Sequence, residues 1–181
     1  MDSLTALSFK ERDEIFREAA AQQGLLPVIV EKDFWVCWVL RELFAHKKLS
    51  AHLIFKGGTS LSKVFKVVHR FSEDIDLAVD WEMLGFTGLK DPLLPRSKSK
   101  QGALNKEMIA RCGEFIAGEL QETLHRLFEA KLGASGKDSW RIELAGTNPD
   151  QPDIVKFHYP SRTRHEYVES AVRLELGTHS A

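Results

Sequence analysis

The stretch FKGGTSLSKVFKVVHRFSEDIDLAVD, residues Phe55–Asp80, carries the two signals that decide the fold. Its end, DIDLAVD, alternates in period two, so Ile75, Leu77 and Val79 face one side of a strand and Asp74, Asp76 and Asp80 the other. Its start closes a short apolar run, AHLIFK, with the paired glycines Gly57 and Gly58, the pattern of a buried strand ending in a turn. SLSKVFKVV between them reads as a helix of about two turns.

The chemistry of these pieces is specific. Asp74 and Asp76 stand at i and i+2 of a strand, their backbones roughly 6 to 7 Å apart on one face. Two carboxylates so placed repel unless a cation lies between them. Mg²⁺ suits them, because it is hard, takes oxygen ligands and combines one or two carboxylates with substrate phosphates. Gly57 and Gly58 let backbone N–H groups approach a ligand and can adopt φ > 0. Thr59 and Ser60 add hydroxyl donors at a helix start, where phosphate is favoured, and Lys63 lies one turn on. This is no P-loop, since Ser62 stands where GxxxxGK[ST] needs glycine. A third carboxylate, Glu175 in AVRLELG, shares a strand face with Arg173, which is suited to neutralising phosphate charge. Three carboxylates would complete a two-metal site, the ions roughly 3.5 to 4 Å apart.

Working outward, Ser8 to about Gln23 has helical periodicity, with Ser8 and Glu11 as a capping box and Gly24 as a stop. VIVEKDFWVCWVLRELFAHKK, after Pro27, is a second helix that supplies core bulk through Phe34, Trp35 and Trp38. Trp81 to about Lys100 breaks into Gly, Pro, Ser and Lys and reads as a long loop or lid. A long helix is expected from about Ala103 to Leu132, then three strands in WRIELAG, DIVKFHYPS and SAVRLELG. The order helix-helix-strand-helix-strand-helix-strand-strand-strand predicts an α+β domain with a mixed central sheet of about five strands and helices packed on it. The expected division is 1–50, N-terminal helices packing on the core, and 51–181, the core itself.

Composition sets bounds. At 181 residues, 43% hydrophobic and 28% charged, the chain is globular, and 25 basic against 26 acidic residues argue against a protein that coats nucleic acid. Cys37 and Cys112 match no metal or redox spacing, and Cys37 reads as a buried thiol, so a reducing cytoplasm is the expected setting. No apolar segment approaches the ~20 residues that span a bilayer, so no membrane partner is expected. The histidines lack HxxxH or HExxH spacing, which argues against zinc. Lys56 and Arg70 flank the motifs. Lys156 shares a strand face with His158, and Lys90 to Arg111 is rich in cations.

The glycine turn followed by the acidic pair matches the arrangement of the polymerase-β-like nucleotidyltransferase superfamily. FKGGTSLSK, RFSEDIDL and EKDFWVCWVLRELF together resemble the AbiEii/AbiGii toxin family of nucleotidyltransferases, over about Ile29 to Gly177. The resemblance implies a polymerase-β-like nucleotidyltransferase fold in which Gly58 and Thr59 contact the triphosphate. Asp74, Asp76 and Glu175 would be the catalytic and metal-binding acids, for Mg²⁺ or Mn²⁺. Gly57, Gly58, Thr59, Ser60, Lys63 and Arg173 would bind the nucleotide. It further implies an NTP substrate, an RNA acceptor such as tRNA, and an antitoxin protein in a toxin–antitoxin or abortive-infection system. Such proteins continue into a helical region after the third acidic strand, so 51–181 is read as a core lacking it. Two rival readings remain: an inactive module that keeps the fold for binding, and a metal-dependent phosphohydrolase using the same carboxylates.

Overall fold

Local rules start the chain as expected. After a short α1 (Asp2–Thr5), Ser8 caps α2 (Phe9–Gln23): its side chain accepts from the Glu11 N–H while the Glu11 carboxylate accepts from the Ser8 N–H. The reciprocal box satisfies two otherwise orphaned donors. Gly24 ends the helix at φ 67, a left-handed cap that glycine adopts without steric cost. Ser8→Ala removes one half of the box and should cost about 1 kcal/mol in a denaturant melt. Pro27 opens α3 (Pro27–Ala45) at its first turn, where a missing N–H costs nothing.

In the computed structural model, residues 1–57, 74–136, 139–146, 148, 152–162 and 166–178 are described. The helix read in SLSKVFKVV lies outside them, as do Arg70 and Glu73. A short α4 (Lys47–His52), absent from the sequence reading, leads into β1 (Leu53–Lys56). The remaining elements are β2 (Asp74–Val79), a 3₁₀ turn at Gly88–Lys90, α5 (Lys98–Phe115), a π-helical segment (Ile116–Leu120), α6 (Gln121–Leu132), β3 (Arg141–Ala145), β4 (Ile154–His158) and β5 (Ala171–Gly177).

The five strands form one mixed sheet in the order β1-β2-β5-β4-β3. β2 and β5 run parallel and the other three pairings are antiparallel. The fold is therefore the expected α+β arrangement, a mixed five-stranded sheet with helices packed on it.

One sheet face is apolar throughout. Ile75, Leu77, Val79, Val155, Phe157, Val172, Leu174 and Leu176 are all buried. They join a core completed by Trp35, Trp38, Val39 and Leu43 of α3 and by Met108, Ile116, Leu120, Leu124 and Phe128 of the α5–α6 layer. Trp38, Phe128 and Phe157 meet ring to ring, with centroids 5.0 Å (Trp38–Phe128), 5.7 Å (Trp38–Phe157) and 4.6 Å (Phe128–Phe157) apart. Such contacts add specific geometry to the area buried. Both tryptophans of α3 are fully buried and thus serve the core.

Three details depart from the sequence reading. The long helix starts earlier than expected, at Lys98, because Ser97 caps it by accepting from the Lys100 N–H. The preceding loop is pinned: Leu84 and Phe86 reach the core, and the Arg96 guanidinium donates to the Leu89 and Asp91 carbonyls. Cys37 is only half-buried, whereas Cys112 is buried and its thiol is pushed up to about 11, chiefly by burial.

The N-terminal helices are fastened to the sheet layer through buried polar groups. Arg12 donates to the carbonyls of Thr5, Leu7 and Pro160, and Ser161 donates to the Glu31 carboxylate at 2.8 Å. Burial holds Glu31 above the ordinary glutamate range, with Ser161 and Arg12 pulling the other way. A carboxyl raised in the folded state contributes stability below its unfolded pKa and loses it as the pH climbs through the raised value. Glu31→Gln should therefore match wild type near pH 4 and melt at a higher temperature than wild type near pH 7. Thermal melts of both proteins at the two pH values check this.

Candidate active site

The site follows from strand register. Residues directly opposite one another on neighbouring strands project from the same face. Asp76 lies opposite Glu175 on the parallel partner β5 and opposite Lys56 on the antiparallel partner β1. Asp74 lies opposite Arg173, which in turn lies opposite Lys156 of β4. Two rungs thus cross the face opposite the core: Lys56–Asp76–Glu175–Ile154 and Asp74–Arg173–Lys156–Glu143. Adjacent strands are roughly 4.8 Å apart, so the three expected acids, two of them from β2 and one from β5, sit on neighbouring backbone positions. Most of these side chains are half-buried, in contrast to the sealed apolar face behind them.

Gly57 is built against the acidic pair. It has φ +74, and a Cβ added to it would stand 2.0 Å from Asp76 Oδ2 and 2.6 Å from Asp76 Cγ. Only a residue without a side chain lets the turn leaving β1 pass so close to that carboxylate. The other expected nucleotide-binding residues of the turn, Gly58, Thr59, Ser60 and Lys63, lie outside the described residues.

Glu175 Oε1 is paired with Arg173 Nη2 at 3.1 Å. Arg173 Nε is buried and has no hydrogen-bond partner among the described residues. Across the sheet, Lys156 Nζ meets Glu169 Oε2 at 3.3 Å, and His158 Nε2 meets Glu143 Oε2 at 2.9 Å. The face is therefore acidic at β2 and mixed basic and acidic towards β3.

The donor chemistry fits a hard divalent cation, since Asp74, Asp76 and Glu175 offer only carboxylate oxygens. Their side chains do not yet converge: among the described residues, no three His, Cys, Asp or Glu groups stand close enough together to hold a metal ion. The Glu175 carboxylate is turned to Arg173.

The sequence reading left Lys56 and Lys156 at the margin. Register puts Lys56 on the rung of Asp76 and Lys156 beside Arg173. The alternation of LIFK and IVKFH carried the signal for which face each lysine takes. Which strand lies beside each could not be read from it.

The mixed five-stranded sheet and its helices are consistent with an α+β nucleotidyltransferase-like fold. The family model described as nucleotidyl transferase AbiEii toxin, type IV toxin–antitoxin system, matches residues 38–181. The chain belongs to this AbiEii family of nucleotidyl transferase toxins. No curated protein and no solved structure matches the chain. No helix among the described residues is long and apolar enough to cross a membrane.

Proposed function

We propose that this protein transfers a nucleotide from an NTP to an acceptor hydroxyl, with an RNA such as tRNA as acceptor, and that it acts as the toxin of a toxin–antitoxin pair. The observation that carries the reading is the rung that sets Asp76 beside Glu175, two residues along the same strand pair from the rung of Asp74 and Arg173. Asp74, Asp76 and Glu175 would hold Mg²⁺, which when bound would supply charge neutralisation for the triphosphate and the leaving pyrophosphate.

The chain's own residues divide the remaining work. Gly57, Gly58, Thr59, Ser60 and Lys63 would hold the triphosphate by backbone and side-chain donors, and the Arg173 guanidinium would add positive charge. The acceptor hydroxyl attacks the α-phosphorus while the bond from that phosphorus to the bridging oxygen breaks and pyrophosphate leaves. Glu175, once freed from Arg173, takes the hydroxyl proton as general base. Lys56 and Lys156 offset the crowd of negative charge along the two rungs. An antitoxin partner is in keeping with the family.

Incubation with Mg²⁺, total RNA and each NTP labelled in turn at the α- or γ-phosphate tests this. The expected result is α-label on RNA together with labelled pyrophosphate from the γ-position. Free phosphate without label on RNA would instead favour a phosphohydrolase, and no turnover of any NTP would favour an inactive binding module.

A further inference from the structure

Two surfaces remote from the carboxylates have complementary chemistry. The first is the tip of the loop ahead of α5. Leu89 is 94% exposed, Leu93 is 76% exposed and Leu94 is 42% exposed. Leucines so bare within six residues are unusual on a soluble surface, where apolar groups are ordinarily scattered. The tip is also rigid in its bonding. Arg96 donates to the Leu89 and Asp91 carbonyls, the Leu93 N–H donates to Asp91 Oδ1, and Lys90 is tied to Glu107 at 2.6 Å. Bracing from within holds the leucines outward, and the exposed Lys98 and Lys100 follow in the first turn of α5. A preordered apolar tip loses little entropy on docking.

The second surface is a shallow, open groove along α2, lined by Leu7, Ile15 and Ala19 together with Glu11, Glu14 and Glu18. Ile15 is 43% exposed. Glu11 is held ionised by its two bonds from Ser8, which lower its pKa. The groove carries Glu11, Glu14 and Glu18, with Glu14 bridged to Lys10 at 3.9 Å, whereas the tip is followed by the exposed Lys98 and Lys100, so the two surfaces are opposite in charge and each offers aliphatic side chains.

We propose that the leucine tip of one molecule docks into the α2 groove of a second copy of this chain. The contact is heterologous, because tip and groove are different surfaces, so it builds short chains or a ring according to the rotation between copies. Both components are small, and the association is expected to be concentration-dependent and to weaken as salt screens the Lys–Glu pairs.

Sedimentation velocity over a hundredfold range of concentration tests the proposal on three samples. Wild type should rise above monomer mass as concentration increases. Leu89→Glu/Leu93→Glu, which spoils the tip, and Ile15→Lys, which spoils the groove, should each remain monomeric; all three positions are exposed, so folding is retained and circular dichroism confirms it. An equimolar mixture of the two variants holds one intact tip and one intact groove, and should give a dimer that grows no further. Wild type that stays monomeric throughout would overturn the proposal. So would a tip variant that associates like wild type, or a mixture that stays monomeric. Binding of monomeric wild type to anionic vesicles, lost in the tip variant, would overturn it in favour of a lipid surface.

Discussion

Asp76→Asn is expected to lower nucleotidyl transfer about 10³-fold while leaving the fold intact. Asp76 is flanked on its rung by Lys56 and Glu175 and faces the turn at Gly57, so it stands at the centre of the acidic face. A lost carboxylate at a site that must gather a divalent cation and a triphosphate removes several kcal/mol of transition-state stabilisation. At about 1.4 kcal/mol per tenfold, that is roughly three orders of magnitude in rate. Asn keeps the shape beside Gly57, and the charge it removes lies between Lys56 and Glu175, so the melting temperature should change little. Initial rates of α-label transfer, paired with a thermal melt, check both halves. Transfer within threefold of wild type would show that Asp76 is only a solvated strand residue.

Gly57→Ala should be the next most damaging single change. Its added methyl would fall 2.0 Å from Asp76 Oδ2, and its φ of +74 disfavours any L side chain. The left-handed backbone alone costs roughly 1–2 kcal/mol for alanine. The collision must then be relieved by moving the carboxylate or the turn, and a displacement of about 1 Å at reacting groups costs on the order of 10²-fold in rate. The expected outcome is a lowered melting temperature together with a fall of about 10²-fold in kcat, larger than any change in KM for the NTP. A fall in affinity with kcat unchanged would instead assign Gly57 to nucleotide binding alone.

Much of this arrangement could be read from the sequence, because period-two alternation reports which side chains share a face. DIDLAVD declared an acidic face and AVRLELG a charged one holding Arg173 and Glu175, each backed by an apolar face, and the structure keeps both assignments. Alternation cannot say which strands are neighbours. That β2 pairs in parallel with β5, rather than with the nearer β3 or β4, depends on long-range packing of the two apolar faces onto one helical layer.

The same limit hid the place of Lys56, whose rung with Asp76 exists only once β1 and β2 are paired. α4 went unread because KKLSAH is too short to show a helical period; it is capped by His46, whose Nδ1 accepts from the Leu49 N–H. The early start of α5 was hidden by Lys, Ser and Gly102 in its first turns, residues whose loop-like composition outweighed the cap at Ser97. The π-helical segment at Ile116–Leu120 left no signal in the periodicity, since Ile116 and Leu120 are buried as a regular helix would place them.

The joining of β2 and β5 into one acidic site is the central claim, and Glu175 is the member on which it turns. Its carboxylate is paired with Arg173, and it reaches the site from a strand far along the chain. The most direct test is the rate of α-label transfer to RNA by Glu175→Gln at saturating NTP. A fall of about 10²-fold or more, with NTP binding retained, is the result this arrangement predicts. Transfer at the wild-type rate would contradict it and confine the chemistry to β2.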